Sequence, residues 1–411
     1  MRILLVMAWR NLGRNRRRTA INLCAIAFAT LTMVFMSAMQ RGSYDQMIDS
    51  AVKMQTGHLQ IQAEGYLEDH DIQLMVRDLD KVYQAVDTTP GVVGAVGRIR
   101  AGFLVAKEEE SFVSLVTGTD AKREREISNL PNWVKQGDFL DPADPKGAVV
   151  GIRLAKNLEA EIGDELVLVG QAVDGSVAAE KVHIRGLLDT GVPDLDRMAV
   201  FVNLEPLQQI MMMDNSASAV AILLEGHQQV AATQAALQQK AQEINDTLVA
   251  LTWKQVEPGI DQSIQLDNAS GKVMVYMLLL VVAFGILNTF LMSAFERFRE
   301  FGVLMAIGVK PRTCASLLLI ESQILVVVGF VIGLIVGGGM ALYFAGAGIP
   351  LGEAAGELMK QYGLSDRIFP TMNLGIAWLV FLQVWLTTLV VALYPAFKIT
   401  RFRPLEALRY Q

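Results

Sequence analysis

The chain has little of what most enzyme chemistry and metal binding rely on. Of 411 residues, four are histidine and two are cysteine. Cys24 falls inside an apolar run and Cys314 beside another, with no Cys-x-x-Cys spacing. That excludes a disulfide framework and a thiolate metal site. His58, His70, His183 and His227 are scattered, and the run Met211–Met213 cannot turn three consecutive side chains toward one ion. No metal site is expected. There is no Gly-x-x-x-x-Gly-Lys-Ser/Thr, no His-Glu-x-x-His and no nucleophile elbow, so no catalytic residue is assigned. Charge is also scarce, at 19% of residues and a net of −6. Nothing suggests the basic face that a nucleic-acid partner requires.

What fills the space is apolar: 52% of residues are hydrophobic. A bilayer core of ~30 Å needs about 20 such residues in a helix. Four runs qualify, at residues 19–40, 271–295, 315–345 and 373–397. The first exceeds the about 7–15 residues of a signal-peptide core and lacks an Ala-x-Ala-like site after it, so it is expected to stay in the chain. Lys and Arg set the orientation. Arg2, Arg10, Arg14, Arg16, Arg17 and Arg18 precede the first run. Arg297, Arg299, Lys310 and Arg312 lie between the second and third, and Lys398, Arg401, Arg403 and Arg409 follow the fourth. One topology puts all three groups in the cytoplasm, with both termini inside.

The expected organisation follows: a cytoplasmic amphipathic segment 1–18, span one, an outer domain 41–270, span two, a cytoplasmic loop 296–314, span three, an outer loop 346–372, span four and a tail 398–411. Residues 40–270 carry 35 Asp/Glu against 19 Lys/Arg. Stretches such as "GHLQIQ", "SFVSLVTG", "DELVLVG" and "RMAVFVN" have strand patterning, whereas "DQMIDSAVKM" and the segment from His227 to Leu248 have helical spacing. "KEEES", 107–111, looks like a hairpin tip. The expected fold is therefore an α-helical four-span transmembrane domain with a mixed α/β extracytoplasmic domain inserted between spans one and two. A separate inserted lobe is expected at about 111–207.

Between spans two and three, apolar and charged residues alternate at helical spacing. This predicts either a short surface helix, ended by Gly308 and Pro311, or a plain interfacial turn. In span three, Gly329, Gly333 and Gly337 stand four residues apart, as close helix packing or a moving hinge would need. Glu321, near the inner end of that span, is expected either to pair with an arginine at the interface or to serve a function inside the membrane.

"ERFREFGVLMAIGVKP", residues 296–311, resembles the segment joining spans two and three in the FtsX-like permeases of ABC transporters. That group includes the lipoprotein-releasing LolC/LolE proteins and the MacB exporters. Four further stretches agree: "WRNLGRNRRRTAINLCAIAFA", "GAVVGIRLAKNLEAEIGDELVL", "GLLDTGVPDLDRMAVFVNLEPLQQI" and the C-terminal "YPAFKITRFRPLEALRYQ". Chain length and "TGVPDLDRMAVF" favour the lipoprotein-releasing branch. The resemblance implies a permease subunit of a bacterial inner-membrane complex. It would hold no cofactor itself, with ATP and Mg bound by a separate LolD-like ATPase. It would pair with a second permease, identical or different, and with lipoprotein cargo, membrane lipids and a periplasmic chaperone or adaptor.

In this reading 296–311 holds the coupling helix. Glu296, Arg297, Arg299 and Glu300 would make charged contacts with the ATPase, and Phe301, Leu304 and Met305 would fill its apolar pocket. Gly302 and Gly308 would allow close approach and helix exit. Tyr394-Pro395 would mark the inner end of span four and Arg403-Pro404-Leu405 the cytoplasmic face. Acyl chains would enter past Val34, Phe35, Met39, Met274, Met277 and Leu278, unless these residues simply face lipid or other helices. The alternatives are MacB-like export of small hydrophobic molecules or peptides, and FtsX-like signalling to a cell-wall hydrolase.

Overall fold

The computed structural model describes residues 2–14, 16–226, 229–353, 356, 357, 359 and 365–401. In chain order the elements begin with α1 (Arg2–Arg14), α2 (Arg16–Ala51), β1 (Leu59–Ala63), α3 (Tyr66–Asp69), α4 (Leu79–Asp87), β2 (Val92–Lys107), β3 (Glu110–Thr119), α5 (Ala121–Ile127), β4 (Val134–Gly137), β5 (Gly147–Gly151) and α6 (Ile152–Asn157). There follow β6 (Glu165–Gln171), β7 (Val177–Leu188), α7 (Pro193–Met198), β8 (Ala199–Asn203), α8 (Leu204–Met211), β9 (Ala219–Leu224), α9 (Val230–Ile244), β10 (Leu248–Thr252) and α10 (Trp253–Val256). The chain closes with α11 (Pro258–Glu296), α12 (Phe298–Ala306), α13 (Pro311–Ala347), β11 (Ile349–Pro350), β12 (Arg367–Ile368) and α14 (Leu374–Thr400). Two compact units emerge. One comprises Met1–Asp45, Ile264–Pro350 and Arg367–Gln411; the other comprises Gln46–Ser263 and Leu351–Asp366.

The first unit holds four helices long and apolar enough to cross a membrane, in α2, α11, α13 and α14. They run past the apolar runs that predicted them. In α2 the polar end stays helical to Ala51, because no proline interrupts it and Arg41 pairs with Asp45 one turn on. Helix α14 continues through Pro395 to Thr400, so Tyr394-Pro395 does not end the helix. Ile26, Met33 and Val34 of α2 pack in one buried cluster with Ile286 and Phe290 of α11, Leu325 of α13 and Val384 of α14.

The glycine stripe of α13 lies against α2. A Cβ on Gly329 would stand 2.7 Å from Ile26 Cγ2, and one on Gly337 would stand 2.8 Å from the Leu31 carbonyl oxygen. On Gly333 it would overlap the Ala27 carbonyl and Thr30. The helices meet backbone to backbone, and the packing reading holds.

The second unit is built on a ten-stranded sheet with the path β10-β1-β9-β2-β3-β8-β5-β7-β4; β6 pairs with β2 and β7. Strands fall where "GHLQIQ", "SFVSLVTG", "DELVLVG" and "RMAVFVN" placed them. Lys107 pairs with Glu110, which makes 108–109 a two-residue hairpin loop. Helices α4 and α9 bury Val82, Val86, Leu237 and Ala241 in the main core, each pair on one helical stripe. The stretch 111–207 does not form a lobe with its own sheet. Strand β2 is long enough to pair with β9 through Val92–Arg98 and with β3 through Arg98–Lys107, so one sheet and one principal core run through both halves.

Inside this unit Arg98 of β2 meets Glu124 of α5 through two hydrogen bonds, and Thr119 donates a third to the same carboxylate. Burial alone would raise the Glu124 carboxyl. The Arg98 charge and these hydrogen bonds outweigh it and hold the group below the ordinary carboxylate range. A depressed folded pKa contributes stability above the unfolded value of 4.5 and loses it as pH falls through the folded value. Glu124→Gln should therefore cost about 3–5 kcal/mol at neutral pH, since it removes the charge that compensates the buried guanidinium. It should also flatten the loss of stability below pH 4.5. Thermal unfolding followed from pH 7 to pH 3 checks both; equal melting of variant and parent at pH 7 would refute the assignment.

Candidate functional site

The segment between the second and third spans is the short helix α12. Arg297 links α11 to it, with the Phe301 amide donating back to the Arg297 carbonyl at 3.0 Å. At the far end the Val309 amide reaches the Leu304 carbonyl at 3.0 Å and the Gly308 amide reaches Met305 at 3.1 Å. Gly308 has φ +101°, a conformation that side chains resist. These two bonds are the closing pattern that lets a helix end on a left-handed glycine. Pro311 then opens α13, and of the two expectations, helix or turn, the stretch Phe298–Ala306 is helix.

One face of α12 is turned into the protein. Phe301 is 2% exposed and packs with Cys314, Leu318, Ala396 and Ile399, while Leu304 and Met305 lie against the same cluster. Gly302 is buried. Arg297 is also turned inward. Its Nη1 donates to both carboxylate oxygens of Glu321 in α13, at 2.9 and 2.7 Å. Its guanidinium lies 5.2 Å from the Phe301 ring centre, and its Nε is 3.3 Å from Glu300 Oε2. Asn11 of α1 donates to Glu321 Oε1 at 2.6 Å, and Arg14 of α1 pairs with Glu300. The Arg297 and Glu321 side chains are only 13% and 9% exposed. Helix α1, distant in sequence, is thus pinned to α12 and α13 through Glu300 and Glu321.

Arg297 and Phe301 are thus engaged within the chain, while Leu304 and Met305 are half-buried against the same cluster. Exposed on α12 are Glu300 and Val303, followed by Ile307 at its C-cap, and Lys310 is exposed past the turn at Gly308. Val303 is 49% and Ile307 74% exposed. Both were passed over in the sequence because they are small beside Phe301; their phase relative to Phe301 was the available signal. The side chains of Glu296 and Arg299 and the segment Arg403-Pro404-Leu405 lie outside the described residues.

The expected acyl-lining residues differ in their surroundings. Val34 is buried in the helix core and Leu278 packs against it, whereas Met274 and Met277 are exposed. Phe35 meets Phe344 edge-on at 6.2 Å, and Met39 is half-buried. Sequence reasoning also missed a polar clasp at the outer ends of α2 and α11. There Tyr44 donates to Asp267 Oδ2 at 2.6 Å, and Gln40 Nε2 donates to the Tyr44 hydroxyl at 2.7 Å. Among the described residues no group of three metal-ligating side chains occurs.

Comparison with known proteins agrees with this geometry. The family model described as "MacB-like periplasmic core domain" matches residues 19–240, and that described as "FtsX-like permease C-terminal" matches residues 272–404. The lipoprotein-releasing system transmembrane protein LolC of Xylella fastidiosa strain 9a5c is 22% identical over 92% of this chain and 90% of that protein. LolC of Neisseria meningitidis serogroup B is 20% identical over 96% and 94%. The macrolide export ATP-binding/permease protein MacB of Rhodospirillum rubrum is 25% identical over 98% of this chain, which spans 60% of MacB. The chain belongs to the FtsX-like permeases that carry a MacB-like periplasmic core domain, the ABC transporter permeases of LolC and MacB type.

Proposed function

We propose that this chain is the non-catalytic permease subunit of an inner-membrane complex that releases lipoproteins. ATP and Mg are bound by a separate ATPase, and a second permease completes the membrane part. Both termini face the cytoplasm, where the arginines lie. The observation that carries the reading is the two-faced helix α12. One face is fixed to α1 and α13, and the other presents an apolar pair, Val303 and Ile307, between Glu300 and Lys310. A rigid mount with an exposed apolar centre and charged rim suits a docking helix that passes on displacement. LolC relatives that match this chain nearly end to end support lipoproteins as cargo.

The complex, gently purified from native membranes, should contain an ATPase and triacylated proteins. Val303→Glu with Ile307→Glu should weaken ATPase retention at least tenfold, or about 1.4 kcal/mol, without lowering the yield of folded permease. Retention unchanged would remove α12 as the docking element. An ATPase with a periplasmic adaptor and no lipoprotein would instead favour export, the reading suggested by the MacB match over 98% of the chain.

A further inference from the structure

Helix α1 is basic and apolar at once. Leu5, Val6 and Trp9 are exposed, as are Arg10, Arg14, Arg16 and Arg17 around the α1–α2 junction. Beside it lies a second cavity, of about 350 Å³, formed by α1, the start of α2 and α13. Its walls are almost wholly apolar: Trp9, Leu12, Leu23, Ile324 and Val328, with Ala20 and Gly13 leaving room. Arg16 stands at its rim. Neither Arg16 nor Arg17 makes an ion pair among the described residues.

We propose that this cavity is a binding site for an anionic phospholipid, whose acyl chain enters between α1 and α13 and whose phosphate meets Arg16 and Arg17. Four observations carry it. The volume is that of a small-ligand site. The cavity sits at the arginine-bearing end of helices that cross a membrane, so lipid is the apolar molecule at hand. Trp9, 64% exposed at its mouth, is the residue type that settles at the headgroup level. The cations sit next to the apolar slot, and basic pockets between spans are where acidic headgroups are held. Leu12, Thr19 and Leu325 line both this cavity and the smaller polar one around Glu321 and Arg297. A lipid in the slot therefore rests on the other side of the wall that braces α12.

The test uses Trp9 as the reporter. The full-length protein is placed in phosphatidylcholine nanodiscs doped with brominated phosphatidylglycerol or, at the same mole fraction, brominated phosphatidylcholine. The difference from Trp9→Phe isolates the quenching of Trp9. Phosphatidylglycerol should quench more strongly. Arg16→Gln and Arg17→Gln should each lower the apparent affinity about fivefold. Gly13→Leu should abolish the Trp9-specific quenching; a Cβ there meets nothing within 4 Å, so the new side chain can fill the slot, and leucine favours helix over glycine. Equal quenching by the two lipids would overturn the headgroup assignment. Parent-like quenching in Gly13→Leu would overturn the cavity. Loss of selectivity on adding inorganic phosphate would assign the arginines to a soluble anion instead.

Discussion

Glu321→Ala should be strongly destabilising. It removes both acceptors of the Arg297 Nη1 and the acceptor of Asn11, and it leaves a side chain 13% exposed with only the 3.3 Å contact to Glu300. Breaking a buried pair from one side costs about 3–5 kcal/mol, and the remaining Glu300 contact places this case at the low end, about 3 kcal/mol. The double variant Arg297→Met, Glu321→Ala should recover much of this, because neither charge is then left alone. Melting temperatures of the four proteins in one detergent give the coupling energy, expected at about 2–3 kcal/mol. Additive effects would show that the two side chains do not hold one another. The same set separates position from mere stability. If the bridge mounts α12, the double variant should melt like the parent yet stimulate the partner ATPase less.

Gly333→Ala carries the second large effect. The added methyl would overlap the Ala27 carbonyl and Thr30, so α2 and α13 must separate. Overpacking of this kind costs about 1–3 kcal/mol, and here the obstacle is backbone, which cannot rotate away. Gly339→Ala is the control, since a Cβ there meets nothing within 4 Å. It should be neutral or stabilising, because alanine is the better helix former. A Gly333 variant that melts like the Gly339 variant would mean that α13 does not lie on α2 as described.

These cases mark what could be read from the chain. The four long apolar helices, the short helix between the second and third and the glycine stripe follow from local periodicity, although the long helices extend past the runs that predicted them. Glu321 could be flagged as a costly carboxylate, but its partners are more than 20 and about 310 positions away in sequence, at Arg297 and Asn11. No periodicity reports such a meeting. That the α12 segment is amphipathic was visible, but which of its residues the chain itself covers was not. The packing of Cys314, Leu318, Ala396 and Ile399 around Phe301 decides that. The single sheet of the outer unit was hidden for a related reason. Strand β2 serves two sets of neighbours, and local patterning records a strand without recording how many partners it has.

That sheet also fixes an order in time. Strand β1 is the first to be made, and its two neighbours, β9 and β10, are the last two strands of the sheet. From synthesis of Ala63 until Leu224 and then Thr252 have appeared, β1 has bare edges on both sides. Exposed edges of this kind invite pairing with other chains, and closing contacts so far apart in sequence is slow. The outer unit thus acquires its first strand's partners only as the second membrane-spanning helix is about to emerge. A chaperone that shields a nascent edge would matter most in that interval.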